Sequence, residues 1–441
     1  MKIAQIVPGS GGGFYCENCL RDNDLAAALL RAGRDVLLVP LYLPLLPDNR
    51  SAAPPPACPR KVFFGGINVY LQQKSALFRH TPRWLDRLLD ARWLLRRAAR
   101  KAGMTRAADL AETTLSMLRG EHGLQKKELD RLVAFLAVER PDVAVLSNAL
   151  LLGLAPALRE RVGARVVCLL QDERGWIDAM GPPYAQQVWD LLSERAKDVD
   201  AFVAVSDAYA RAVGPRLGAA GKRLHVIPCG LDAAGYAPAD APPAPPAVGF
   251  LAPLCADKGL GLLAEAYLRL RARPEFGRLR LRLAGGQVEA DAAFVAGVRA
   301  RLARHEEAGD VDAQGNLPRA ERQEWLRSLS VLSVPTLRPE AFGVFVLEAL
   351  ASGVPVVLPE HGAFPELVRA TGGGLLVRPN DPDALAAALG ALLRDPDRAR
   401  ALGRAGRAAV LERFSAARAA ERLVGLCRDV RAATPTGGRD A

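Results

Sequence analysis

The chain has 441 residues and a net charge of +11, and its 50% hydrophobic and 24% charged residues are ordinary for a globular protein. This length favours two or three domains over a single core. No apolar stretch reaches the roughly 18 residues of a membrane-spanning helix. Seven widely spread cysteines argue against a disulfide framework and for a reducing, cytoplasmic location.

The N-terminal segment alternates strand and helix patterns. KIAQIVP, residues 2–8, predicts a strand, and a glycine-rich turn and the helical pattern DNDLAAALLRAG follow it. Gly33 is the expected helix stop before the strand DVLLVPLYL. Cys16 and Cys19 have CxxC spacing. Because no second pair or nearby histidine pair accompanies them, we interpret them as incidental thiols, with a metal or redox role as the alternative.

A strongly basic segment follows these first elements. Residues 79–106 contain nine lysines and arginines against two aspartates. Apolar residues from Trp84 to Leu95 recur at roughly helical spacing, which indicates a basic amphipathic helix. Two interpretations stay open: a helix packed on its own domain, or a peripheral contact with an anionic membrane. Nucleic acid is not an expected partner, because no groove-reading or base-stacking motif accompanies the charge.

Later strands are continuous apolar runs that end in polar residues, which indicates parallel sheets covered by helices. In the first half they are DVAVLSN, ARVVCLLQD, DAFVAVSDAYA and RLHVIPCG. YAPADAPPAPPA, residues 236–247, then predicts a stiff linker. After it the same alternation restarts, from VGFLAPL to DPDALAAALGALLRD.

The predicted architecture is therefore α/β, with two Rossmann-like doubly wound domains that face each other across a cleft. Residues 1–235 are assigned to the first domain, 236–247 to the linker and 248–415 to the second domain. A helix over 416–432 is expected to pack back across the boundary, and 433–441 to be a disordered tail. Ligands of open parallel sheets bind where the strand order switches, so an interdomain binding cleft is expected.

The segment PEAFGVFVLEALASGVPVV places two glutamates, Glu340 and Glu348, at the edges of an apolar run. Pro339 disfavours helix just before Glu340, and Gly343 opens a helix whose first N–H groups favour phosphate. A carboxylate near a diphosphate needs another partner, and hydroxyl groups suit it. The pattern predicts a ligand with phosphates flanked by polyols, as in a sugar nucleotide.

E-x7-E with FG inside it, followed by EALASGVPVV, resembles the donor-site motif of glycosyltransferase family 4. Members of that family are retaining enzymes of the two-domain GT-B fold. DKGLGLLAEAY, LRLAGG, HGAFPELV and GGGLLV resemble further elements of its donor domain, and PGSGGG and LLRAGRDVLLV resemble the start of its acceptor domain. The resemblance covers most of the chain and is strongest from Val248 to Asp383.

The resemblance implies a role for each matching residue. Lys258 and Glu340 are the implied catalytic residues: Lys258 is expected to neutralise the leaving diphosphate, and Glu340 to accept hydrogen bonds from the donor sugar. Glu348 is expected to hold the ribose hydroxyls. The other implied donor contacts are Gly11, Gly12, Gly13, Gly285, Leu317, Phe342, Gly343 and Val344. No metal or other cofactor is implied, because enzymes of this fold typically use cationic side chains and helix ends instead.

Some positions depart from the family's usual pattern. Pro253 stands where an arginine usually clamps the diphosphate together with the lysine, and proline offers no donor. Gln171 and Asp172 end a strand where a histidine is frequent, and Cys229 replaces a frequent asparagine.

The main functional prediction is a retaining glycosyltransferase that moves a sugar from a nucleoside diphosphate sugar to a glycan, a lipid or a small molecule. The expected location is the cytoplasm; peripheral contact at the inner membrane face is expected only under the membrane interpretation of the basic segment, which stays open. The alternative is a catalytically weakened GT-B protein that binds sugar nucleotides or partners an active paralogue. Pro253 and Gln171 favour this alternative, whereas Glu340, Glu348 and Lys258 oppose it. An epimerase of the same fold has no specific support.

Overall fold

The computed structural model of the protein describes residues 1–9, 17–42, 62–65, 69, 71–73, 75, 78, 81 and 107–433. The predicted amphipathic helix from Trp84 to Leu95, Gly11 to Gly13, Cys16, the side chain of Cys19 and the tail after Ala433 lie outside the described part.

The first half of the chain forms a sheet of six parallel strands. They are β1 (Lys2–Val7), β2 (Asp35–Pro40), β3 (Val143–Leu146), β4 (Arg165–Leu170), β5 (Ala201–Ala204) and β6 (Leu224–Val226). Their order across the sheet is β2-β1-β3-β4-β5-β6. β3 and β5 are buried along their whole length, as expected for strands covered on both faces. The order reverses between β1 and β3, and this reversal creates the crevice of the first domain.

Helices cover both faces of this sheet. Within the described ranges, the α-helices of six or more residues in this half are α1 (Glu17–Arg31), α2 (Ala111–Leu118), α3 (Lys126–Glu139), α4 (Glu173–Asp178), α5 (Tyr184–Arg195) and α6 (Asp207–Val213). α6 begins where the Ser206 hydroxyl accepts a hydrogen bond from the backbone N–H of Tyr209, which satisfies a donor of the first turn.

The second half forms another sheet of six parallel strands. They are β7 (Ala247–Leu251), β8 (Arg280–Ala284), β9 (Val311–Gln314), β10 (Val331–Leu332), β11 (Val356–Pro359) and β12 (Gly374–Val377). The order is β12-β11-β10-β7-β8-β9, so the reversal lies between β7 and β10. β9 was not expected from the sequence, because an edge strand that carries Asp312 and Gln314 lacks the continuous apolar pattern of its neighbours.

The helices of the second half include one that is wholly buried. α10 (Val344–Ala351) is buried at every position, because it runs between its own sheet and neighbouring helices. The others are α7 (Leu260–Arg271), α8 (Ala292–Glu307), α9 (Arg319–Arg327), α11 (Phe364–Thr371), α12 (Pro382–Arg394), α13 (Pro396–Arg413) and α14 (Ala416–Ala432).

The last helix, α14, packs on the first half of the chain. Leu423, Val424 and Cys427 share an apolar core with Ile3 and Val143 of the first sheet. A parallel bridge between Leu231 and Ser415 brings the chain back to that half just before α14 begins.

Two parallel sheets of six strands each, flanked by helices, confirm the predicted α/β fold with two Rossmann-like domains. Among the helices in the described ranges, none combines the length and the apolar character needed to cross a bilayer.

Candidate active site

The candidate site lies where the strand orders of both sheets reverse. The loop after β7 carries Pro253 and Lys258, and the loop after β10 carries Glu340. Because β7 and β10 are neighbours in the sheet, these loops meet at its carboxyl edge. Gly259 permits the close approach: it has φ +79°, and a Cβ there would lie 1.8 Å from the carbonyl oxygen of Pro335.

Lys258 and Glu340 form an ion pair in this position. Lys258 Nζ lies 2.7 Å from Glu340 Oε2, and the two side chains are 24% and 9% exposed. The backbone of Gly362 packs directly against that of Glu340: a Cβ at this glycine would lie 2.5 Å from the backbone N and O of Glu340. The two predicted catalytic residues are therefore held together at one wall of a cleft.

The N-terminal end of α10 forms the adjoining wall. Phe342, Gly343 and Val344 line the cleft beside Glu340 and Lys258. Gly343 precedes the helix with φ +91°, a left-handed conformation that glycine adopts without strain. The first N–H groups of a helix carry partial positive charge, so this wall favours an anion.

Glu348 occupies a different environment from the other predicted site residues. It is fully buried, and Glu348 Oε1 accepts hydrogen bonds from the Tyr236 hydroxyl at 2.5 Å and from Arg322 Nε at 2.8 Å. Burial and the nearby carboxylate raise the pKa of Tyr236, so the phenol keeps its proton and donates it. Glu348 is not one of the described residues that line the cleft.

Two further predicted donor contacts, Gly285 and Leu317, also do not belong to the described lining of the cleft. Gly285 packs under the turn after β7, where a Cβ would lie 1.9 Å from the carbonyl oxygen of Ala252. The carbonyl oxygen of Leu317 accepts a hydrogen bond from Arg322 at 2.8 Å. Both residues support the backbone around the site.

The first domain supplies the opposite wall, with Asn18, Arg21, Gln171, Asp172 and Trp176 facing Pro253 and Lys258 across a cleft of about 280 Å³. Three of the positions that depart from the family's usual pattern, Gln171, Asp172 and Pro253, thus line the cleft.

A hydrogen-bonded network fixes this wall. Gln171 Nε2 donates to Asp22 Oδ1 at 2.9 Å, and the Glu173 carboxylate accepts from the backbone N–H of Gln171 at 2.9 Å and from the Tyr209 hydroxyl at 2.7 Å. Asp172 lies between them with φ +83°, a conformation that is uncommon for a residue other than glycine. Such a backbone outlier at a cleft wall is typical of functional sites.

Polar contacts join the two domains around the cleft. The Ser206 hydroxyl donates to the carbonyl oxygen of Ala341 at 2.7 Å. Arg319 forms an ion pair with Asp24 at 2.9 Å, and these side chains are 17% and 11% exposed. Burial raises the pKa of Asp24 in spite of the neighbouring guanidinium. These contacts hold the two walls opposite each other.

Sequence reasoning missed Arg21, Trp176, Tyr236 and Arg322. Tyr236 and Arg322 reach Glu348 across 112 and 26 positions of the chain, so no local pattern connects them. Arg21 stands in a helix turn rich in charged residues, where a solvated side chain is the usual outcome. Only the strand order, which the sequence does not state, brings it to the cleft.

Two family models match the chain. The model described as Glycosyltransferase Family 4 matches residues 112–234, and the model described as Glycosyl transferases group 1 matches residues 245–395. MMP alpha-(1->4)-mannosyltransferase of Mycolicibacterium hassiacum is 30% identical over 228 residues, which cover 51% of this chain and 53% of that protein. The chain spans about half the length of the curated relatives that it matches.

Solved structures share the fold over nearly the whole chain. Sucrose-phosphate synthase from Thermosynechococcus elongatus gives a TM-score of 0.72 at 21% identity, with 98% of this chain and 100% of that chain covered. Anabaena HepE in complex with UDP-glucose gives a TM-score of 0.65 at 17% identity, with 97% and 100% covered. From the two matching family models and this shared architecture, the chain belongs to the family 4-like glycosyltransferases of GT-B fold.

Proposed function

We propose that the protein is a retaining glycosyltransferase that moves a hexose from a nucleoside diphosphate sugar to an acceptor hydroxyl. The observation that carries the proposal is the Lys258–Glu340 pair beside the N-terminal end of α10 in one interdomain cleft. Such a donor needs acceptors for its sugar hydroxyls and positive charge for its diphosphate, and the cleft offers both side by side. The UDP-glucose complex of the structural neighbour HepE supports this ligand class.

In this proposal the two residues of the ion pair take different roles when the donor binds. Glu340 accepts hydrogen bonds from the hydroxyls of the transferred sugar. Lys258 turns its ammonium group to the diphosphate and stabilises the negative charge that develops as the glycosidic bond breaks. The N-terminal end of α10, from Gly343, stabilises the same charge. Charge balance by these groups requires no metal in the proposed reaction.

Retention is proposed to follow because the acceptor hydroxyl attacks the anomeric carbon of the sugar from the same face from which the diphosphate departs. The leaving phosphate then takes the proton of the acceptor hydroxyl, so the pair of carboxylates that glycoside hydrolases use is not needed. The acceptor, a glycan, lipid or small molecule, would enter beside Asp172 and Trp176. The proposed ribose contact of Glu348 requires this buried carboxylate, which Tyr236 and Arg322 hold through Oε1, to become accessible from the cleft.

The test is a binding comparison with a matched control. A thermal-shift screen against UDP, GDP, ADP and their sugars first identifies the base, because a bound ligand stabilises the native state. Calorimetry then compares wild type with Glu340→Gln. We expect the variant to bind the free nucleoside diphosphate normally and the nucleotide sugar about tenfold more weakly, which matches the loss of one hydrogen bond to a charged group. Glu360→Gln, an exposed glutamate of the same domain, should change neither affinity.

A second candidate function is a weakened sugar-nucleotide binder, because Pro253 lines the cleft without offering a donor to a phosphate. Turnover of a nucleotide-sugar panel by wild type and by Pro253→Arg separates the two candidates. An active transferase gains little or loses activity in the variant, because its diphosphate charge is already balanced. No turnover by wild type, together with clear turnover by Pro253→Arg, would favour the weakened binder.

A further inference from the structure

Two arginines of the described chain are buried, and their surroundings differ. Arg322 is 2% exposed and lies 2.8 Å both from a carboxylate oxygen of Glu348 and from the carbonyl oxygen of Leu317. Arg21 is 7% exposed, and its contacts are longer: 3.5 Å to Asp22 Oδ1 and 3.3 Å to the carbonyl oxygen of Ser147. Within the described ranges, Arg21 Nε is buried without a hydrogen-bond partner.

As far as the described residues show, the charge of Arg21 is thus incompletely balanced. A buried guanidinium needs good geometry and acceptors for its five N–H groups, and a carboxylate 3.5 Å away meets neither need. Asp22 Oδ1 also accepts a hydrogen bond from Gln171 at 2.9 Å, so the carboxylate is shared. Burial raises the pKa of Asp22 to about 6, so keeping this carboxylate ionised beside Arg21 costs free energy.

The location of Arg21 indicates which kind of ligand would balance its charge. Arg21 lines the cleft together with Pro253, Lys258 and the N-terminal end of α10. It comes from α1 of the first domain, whereas the other three groups come from the second. An anion between the walls would therefore meet positive charge from both domains.

We propose that Arg21 is a binding residue for the diphosphate of the nucleotide sugar, supplying from the first domain the cation that Pro253 cannot supply from the second. The inference rests on the proposed function, since the diphosphate is that of the proposed donor. Arg21 presents its planar group to the phosphate oxygens, for which a guanidinium is well suited. A diphosphate bound this way bridges both domains, which couples donor binding to the facing position of the two walls.

The test measures binding of pyrophosphate, the nucleoside diphosphate and the matching nucleoside to wild type and Arg21→Gln by calorimetry. We expect Arg21→Gln to lose about 10- to 100-fold in affinity for both diphosphates and to bind the nucleoside normally. Pro253→Arg added to Arg21→Gln should recover at least tenfold of that loss, since it restores a cation in the same cleft (~10-fold per hydrogen bond to a charged group).

Two variants serve as controls. Arg31→Gln removes the same charge from an exposed position of the same helix, where Arg31 pairs with Asp232, and should bind all three ligands like wild type. Arg21→Lys keeps the charge without the planar group, so it should show a smaller loss of diphosphate affinity, and it serves if Arg21→Gln does not fold.

The outcomes separate this inference from the proposed function. If wild type binds pyrophosphate but no nucleotide, the proposed function is contradicted. The pyrophosphate affinity of the Arg21 variants still tests the inference in that case. Diphosphate affinity within twofold of wild type in both Arg21 variants overturns the inference, as does an equal loss for the nucleoside. A loss confined to a sugar-phosphate acceptor, with donor affinity intact, also overturns it. Wild type that binds neither pyrophosphate nor nucleotide overturns both.

Discussion

Glu348→Ala should destabilise the folded protein as well as the donor complex. Glu348 and Arg322 are 1% and 2% exposed, with Nε 2.8 Å from Oε1, and the Tyr236 hydroxyl donates to the same oxygen. Removing one partner of a buried ion pair costs ~3–5 kcal/mol. The loss of the tyrosine's acceptor costs ~1 kcal/mol more, partly overlapping with the first cost. We therefore expect Glu348→Ala to lower the free energy of unfolding by ~4 kcal/mol.

The assay is urea unfolding followed by circular dichroism, without nucleotide. Tyr236→Phe removes the hydrogen bond from the tyrosine hydroxyl to Glu348 Oε1 but keeps the ion pair, so we expect a loss of ~1 kcal/mol. Glu275→Ala is the matched control, because Glu275 pairs with Arg394 at 2.9 Å on the exposed surface of the same domain. Its removal should not shift the urea midpoint measurably, since exposed ion pairs contribute little.

A Glu348→Ala variant that unfolds at the same urea concentration as Glu275→Ala would refute this reasoning. The carboxylate would then not be required by its buried partners, and a role confined to the ribose would be the better account. In that case Glu348→Ala should weaken every nucleotide with the same ribose, whichever sugar it carries.

Three more predictions follow from the described geometry and the sequence. Burial raises the pKa of Asp22 to about 6 from an ordinary 3.8. The folded state therefore holds this proton more tightly than the unfolded state, and wild type should lose ~3 kcal/mol of stability relative to Asp22→Asn as the pH rises from 3 to 7, at ~1.36 kcal/mol per unit of pKa shift; a pH-independent difference in urea unfolding would contradict this. Asp24→Ala removes the interdomain ion-pair partner of Arg319 and leaves the hydrogen bond of Arg319 to the carbonyl oxygen of Asp232, so the radius of gyration by small-angle scattering should rise; unchanged scattering would contradict a role of this ion pair in holding the two walls. If the basic segment binds membranes, wild type should sediment with anionic vesicles at low salt. High salt, or changing Arg96 and Arg97 to Glu, should then release it. Sedimentation that responds to neither change would favour a packed helix.

The sequence predicts the fold well because its strands are continuous apolar runs. β1, β3 and β7 are recognisable from such runs, and the Pro/Ala-rich segment 236–247 marks the change between the two series of strands. β9 was missed, since half of its residues are polar at a sheet edge. Strand order follows from long-range packing, which no local pattern encodes.

The candidate site was predictable in part for the same reason. Lys258 and Glu340 could be singled out because each stands at the end of a predicted strand within a motif that resembles the family's. Their 2.7 Å contact depends on β7 and β10 being neighbours, which only the structure provides. The position of Arg21 at the cleft and the partners of Glu348 are likewise consequences of the tertiary fold.

The most direct test of the central claim is transfer itself, measured with purified wild type and with Lys258→Ala across UDP, GDP and ADP sugars and a broad acceptor panel. We expect turnover of a donor with one base and a product whose anomeric configuration by NMR matches that of the donor. We also expect Lys258→Ala to lose at least ~100-fold in kcat/KM, as is typical of removing a charge-stabilising donor. A product of inverted configuration would contradict the retaining mechanism. A Lys258→Ala variant as active as wild type would contradict the assignment of this cleft as the active site. If wild type neither transfers nor hydrolyses any donor, the proposal that the protein is an enzyme is contradicted.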